Sequence, residues 1–161
     1  MKKLLLASAV SALAAGGAFA EDINIGILLG FTGPIESITP FMADGAEMAM
    51  SEVNAGGGIL AGTMVHGIRA DSACIDSAVA QASAERLVTS DNVVAIMGAD
   101  CSGVTRAVLE NVAMANGIPM ISPSATSPGF STFDSGGLFY RTAPSDARQG
   151  QVLADILMRR G

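Results

Sequence analysis

Four short apolar runs rich in branched residues constrain this chain more than any other feature. They occupy residues 22–29, 64–71, 93–97 and 118–121, and a loop of glycines or hydroxyl residues breaks each of the first, third and fourth at its carboxyl end. Runs of this length, too short for helices and bounded by turn residues, read as strands buried in a sheet. Gly67 weakens the pattern in the second run. In the fourth, Pro119 has no N–H to give to a ladder and therefore belongs at the strand's first residues.

The stretches between the runs carry helix signals. Thr39 stands as an N-cap with Pro40 at the first helical position, and Phe41, Met48, Ala49 and Val53 form an apolar face. Asn54-Ala55-Gly56-Gly57-Gly58 stops that helix, because glycine takes up the left-handed cap cheaply. Asp76 caps a second helix bearing Val79, Ala80, Ala84, Leu87 and Val88. A third runs from about 104 to 116, with Val108, Val112 and Ala115 inward and Gly117 as its stop. A short segment at 138–141 and a last helix opened by Asp146 complete the chain. Strand and helix alternating in this way predict an α/β fold: a parallel, doubly wound sheet flanked by helices.

Parallel strands present their carboxyl ends on one edge, where open α/β sheets bind small polar ligands. That edge collects three loops, 30–38, 99–102 and 122–126. Ser102 stands just before the third helix, whose first amides point outward and suit a carboxylate. The turn Ser124-Ala125-Thr126 adds further amides and hydroxyls, and its carbonyls suit an ammonium. Phe31 and Ile38 supply apolar walls. Together these six residues describe a site for a zwitterion with an apolar tail. The purely structural alternative is that Ser102 only caps its helix.

Other chemistries fit less well. Gly26, Gly30 and Gly33 lack the spacing of a dinucleotide fingerprint, and no P-loop lysine follows. Ser102 is not in a G-x-S-x-G elbow and Cys101 has a candidate covalent partner, so an exported serine hydrolase stays a remote alternative. One histidine, His66, and two cysteines do not make a zinc site. No catalytic residue, metal or cofactor is expected.

Residues 1–20 read as a secretory signal: Lys2 and Lys3, an apolar stretch, then Ala18-Phe19-Ala20 before Glu21. The leader inflates the hydrophobic fraction of 50% and the mean hydropathy of +0.46. Without it, seven arginines face fifteen acids, a net charge of about −8, and no lysine remains. A nucleic-acid partner wants a basic stripe, so that class is excluded. Two cysteines in an exported chain, Cys74 and Cys101, favour a disulfide over free thiols. The chain either completes a small domain on its last helix or is part of something larger.

The ordered set Thr32-Gly33-Pro34, Ala43-Asp44-Gly45-Ala46, Val53-Asn54-Ala55-Gly56-Gly57, Asp71-Ser72-Ala73-Cys74, Gly98-Ala99-Asp100-Cys101-Ser102, Ile121-Ser122-Pro123-Ser124-Ala125-Thr126 and Arg141-Thr142-Ala143-Pro144-Ser145-Asp146 resembles the type I periplasmic binding proteins. Within them it is most similar to the branched-chain amino-acid binding proteins of ABC importers. The resemblance implies that residues 21–161 are the Rossmann-like N-terminal lobe of a two-lobed protein whose second lobe is missing here. It further implies a Cys74–Cys101 disulfide, and a grip by Ser102, Ser124 and Thr126 on the ligand's carboxylate and ammonium, with Ala125 in the same turn. The implied partners are a small-molecule amino acid and an ABC permease in the inner membrane, and the implied location is the periplasm. Many members carry an aromatic residue after the Gly-Pro, where this chain has Ile35-Glu36-Ser37-Ile38, which leaves the ligand's side chain open. A ligand-sensing domain on the same fold is the second reading.

Overall fold

Strand β1 (Ile23–Leu29) is the axis of the fold in the computed structural model, which describes residues 21–60 and 62–161. The expected leader lies outside the described residues. Strand β1 pairs with β2 (Val65–Asp71) on one side and with β3 (Val93–Gly98) on the other, and β4 (Met120–Ser122) and β5 (Phe139–Arg141) follow outward from β3. All four pairings are parallel and the order is β2-β1-β3-β4-β5. The chain first moves from β1 to β2, then crosses back to β3 on the far side. Loops leaving β1 and β3 therefore diverge, opening a crevice where doubly wound sheets take ligands.

Alternate residues of β1 serve opposite faces, as the two-residue period of a strand requires. Leu28 joins Ala80, Ala84 and Leu87 of α2 (Ser77–Thr89), Val104 and Val108 of α3 (Ser102–Val108), and Ile96 and Met120 in the larger core. Ile27 and Leu29 face α1 (Thr39–Ala55), meeting Ala43, Met42, Ala46 and Met50. Beyond α3 a π-helical turn, Leu109–Ala113, leads into α4 (Met114–Asn116), and α5 (Asp146–Arg160) follows β5. Gly98, at the end of β3, lies so close to β1 that a Cβ would meet the Leu28 carbonyl oxygen at 2.1 Å. Only glycine permits that approach.

Four expectations for the helices are corrected. Ile38, not Thr39, is the N-cap of α1; Thr39 is buried, and its hydroxyl donates to the Gly30 carbonyl at 2.8 Å. The inward face of α1 is Ala43 with Met42, Ala46 and Met50, while Phe41, Met48, Ala49 and Val53 are exposed. Ala43 and Ala46 let the helix approach the sheet, and Met42 and Met50 pack beside them. Val79 of α2 is likewise exposed, and Ala115 faces out because the widened π turn shifts the register of the buried face. Asp76 does cap α2, accepting from the amides of Ala78 and Val79.

Candidate functional site

The loops that leave β1, β3 and β4 meet at the crevice and enclose an open cavity of about 340 Å³ lined by Ile35, Ile38, Asp100, Cys101, Ser102, Ser124 and Thr126. Four of the six residues singled out in the sequence, Ile38, Ser102, Ser124 and Thr126, thus share one cavity. The other two do not line it. Ala125 is fully buried behind the turn. Phe31 turns away to pack on the Ile27–Leu29–Ala43 cluster, 5.7 Å beneath the Arg69 guanidinium. Ile35 takes the wall position expected of Phe31.

Asp100 ties these loops together. Its buried carboxylate accepts from the Gly30 amide at 2.7 Å, the Ser72 hydroxyl at 3.0 Å and the Cys101 amide at 2.9 Å, so one side chain joins the ends of β1, β2 and β3. The Cys74–Cys101 disulfide, 2.04 Å between sulfurs, adds a covalent link between the second and third of these loops. The two cysteines are 27 residues apart in sequence, and on the chain-entropy account closing such a loop stabilises the fold by about 3–4 kcal/mol. Asp71 braces the mouth of the first loop, accepting from the Thr32 and Ala73 amides at 3.2 and 2.9 Å and from the Thr32 hydroxyl. Burial alone would push its carboxyl up. The hydrogen bonds from Thr32, Ala73 and Phe31 outweigh that and hold it below the ordinary carboxylate value.

The loop after β4 is held from below and from the side. Ser122 is buried; its hydroxyl donates to the Ala99 carbonyl and accepts the Ala125 amide at 2.9 Å. From β5, Arg141 donates to the carbonyls of Ala125 and Ser127 at 3.1 and 2.8 Å and to the Ser131 hydroxyl at 2.7 Å. Arg141 lies outside the three loops marked by their glycines and hydroxyls, and Ser122 and Asp100, though inside them, act chiefly on groups of the protein itself.

The hydrogen bonds already made fix what each hydroxyl still offers. Ser102 is not the N-cap of α3; that place is taken by Cys101, without a side-chain bond. Its Oγ instead accepts the Ser127 amide at 3.2 Å, which leaves the Ser102 proton free to donate. Ser124 donates its proton to the Asp100 carbonyl at 3.0 Å, and Thr126 donates to the Asp146 carboxylate at 2.9 Å. Carbonyl and carboxylate oxygens only accept, so Ser124 and Thr126 present lone pairs. Ser102 therefore offers a donor, Ser124 and Thr126 offer acceptors, and Ile35 and Ile38 supply the apolar lining. Among the described residues no arginine lines the cavity. His66 is in β2, 3.0 Å from Asp22, and offers Ser102 no base. Among the described residues no cluster of acidic, histidine or cysteine side chains is arranged to hold a metal ion, and no helix is long and apolar enough to cross a membrane.

Comparison with known proteins gives a consistent set of likenesses. A family model described as periplasmic binding protein matches residues 22–161. The leucine-specific-binding protein of Salmonella typhimurium is 33% identical over 156 residues, which is 97% of this chain and 41% of that protein. The Leu/Ile/Val-binding protein of Escherichia coli K12 is 32% identical over 158 residues, 98% of this chain and 42% of the relative. The chain thus spans about two fifths of the length of these curated relatives. Among solved structures, the branched-chain amino acid transporter substrate binding protein LivJ of Streptococcus pneumoniae, in complex with isoleucine, superposes with a TM-score of 0.68 at 31% identity, covering 78% of this chain and 34% of LivJ.

Proposed function

The chain belongs to the periplasmic binding protein family, and from that premise we propose that it is the first lobe of a substrate-binding protein that captures a branched-chain or related amino acid in the periplasm for an ABC permease. The observation that carries the reading is the polarity of the cavity. Ser102 donates to the carboxylate, while Ser124 and Thr126, the latter backed by Asp146, accept from the ammonium. The side chain lies against Ile35 and Ile38. Neutral donors hold the carboxylate, as in a site that must release its ligand again.

The cavity is open on one side, so the reading includes a second lobe that closes over the ligand and excludes water, by hinge closure. The relatives' names support it: they are binding proteins for leucine, isoleucine and valine, and LivJ carries isoleucine. Periplasmic residence accords with the leader expected at residues 1–20.

Titration calorimetry of the native protein with L-leucine, L-isoleucine and L-valine tests the proposal, and absence of heat with all three sinks it. Ser102→Ala removes a donor to a charged group and is expected to weaken binding by about ten- to a hundredfold.

A further inference from the structure

Resting on the amino-acid reading of the cavity, we infer that Arg141 is a positioning residue that aims the Thr126 amide at the ligand's carboxylate. Arg141 is outside the cavity, in edge strand β5, paired with Ser122 at the end of β4. Its guanidinium bonds two carbonyls either side of the Thr126 residue, Ala125 at 3.1 Å and Ser127 at 2.8 Å. In a trans peptide unit the C=O and N–H point in opposite directions. Drawing the Ala125 oxygen toward Arg141 therefore turns the N–H of the same unit, that of Thr126, the other way.

The neighbouring donors leave this amide as the one on offer. The Ala125 N–H is spent on Ser122 Oγ at 2.9 Å and the Ser127 N–H on Ser102 Oγ at 3.2 Å. The Thr126 amide has no such acceptor among the described residues, and its side chain lines the cavity. Arg141 also removes two carbonyl oxygens from the side where a carboxylate is to bind, and so removes a repulsion. A planar guanidinium has the right shape for this: it meets Ala125, Ser127 and the Ser131 hydroxyl at 2.7 Å at once, which a lysine ammonium on a flexible stem does not.

The test is amide NMR on the 15N-labelled full chain, wild type and the variants R141Q and R141K, titrated with L-leucine, with melting curves recorded in parallel. In wild type the Ser102 and Thr126 amide peaks shift on titration. In R141Q the Thr126 peak moves already in the free protein, its response to leucine is largely lost, Ser102 still responds, and affinity falls about tenfold or more. R141K, which keeps the charge and the fold, lies between the two. A Thr126 response and affinity unchanged in both variants overturns the inference, as does a loss spread equally over Ser102 and Thr126. If leucine, isoleucine and valine move no peak in wild type, the amino-acid reading fails instead. The free-state position and solvent exchange of the Thr126 amide in R141Q then still decide whether Arg141 aims it.

Discussion

At the scale of single residues, Asp100 shows how a polar group in the wall of the crevice holds the loops around it together. Both oxygens of its buried carboxylate are used, one by Gly30 and the other by Ser72 and Cys101. Asp100→Asn keeps the shape but replaces one oxygen with an NH2. Ser72 can turn its hydroxyl to accept from that group, whereas the Gly30 and Cys101 amides cannot. One backbone donor is therefore left unpaired whichever way the amide sits. A buried orphan of this kind costs about 1–3 kcal/mol, so urea unfolding of D100N should show a lower midpoint with an unchanged slope. A midpoint equal to wild type would remove Asp100 from this role. The residues of the cavity itself were legible because hydroxyls after a predicted strand announce themselves. Phe31 misled for a physical reason: two residues past the end of β1, it packs on the α1-facing core, so the wall falls to Ile35, one residue beyond Pro34.

Elements were easier to place than their faces. The first four strands are visible as branched runs, and parallel pairing follows from the intervening helices; β5, Phe139-Tyr140-Arg141, has no such run and shows in the sequence only as a short segment. The inward side of α1 was not visible, since this helix of 17 residues carries Phe41, Met48 and Val53 on its solvent side and two alanines with two methionines against the sheet. Apolar residues on both sides leave hydropathy with no face to report. Helix α5 shows the same limit. None of its residues is buried, although Val152, Leu153, Ile156 and Leu157 form an apolar side. It is tied to the sheet at its start, by the Asp146 amide to the Thr126 carbonyl at 3.0 Å and the Thr126 hydroxyl to the Asp146 carboxylate. A lone helix of this length is marginal in water. Hydrogen exchange followed by mass spectrometry on the 161-residue chain should find α5 exchanging first and β1 and β3 last. Equal protection would mean that something in solution covers its apolar side.

Across the whole molecule, charge and hydrogen bonding pull in opposite directions as the pH falls. Residues 21–161 carry fifteen acids and seven arginines, so the excess acids repel one another at neutral pH, and protonation relieves that repulsion. Three carboxylates act against the relief. Asp22 is held below its ordinary value chiefly by the hydrogen bond from His66, Glu47 by that from Arg69, and Asp71 by the Thr32 and Ala73 donors that outweigh its burial. Ordinary values are 3.8 for Asp and 4.5 for Glu. The unfolded chain takes up protons at these values before the folded one does. Stability from the three groups is therefore fully present above about pH 5 and is lost as the pH drops through the lowered folded values. Asp22 and Glu47 are exposed and screened, so their share is small. Asp71, partly buried at the mouth of the crevice, carries most of it. Melting temperatures measured from about pH 7 to pH 3 should fall below about pH 5 in wild type. Asp71→Asn should start lower at neutral pH, because an amide cannot accept as many donors, and should fall less steeply in acid, because the group no longer titrates. Parallel curves for the two proteins would show that the acid sensitivity arises elsewhere, and that the Thr32–Asp71 brace contributes nothing to the fold that carries the site.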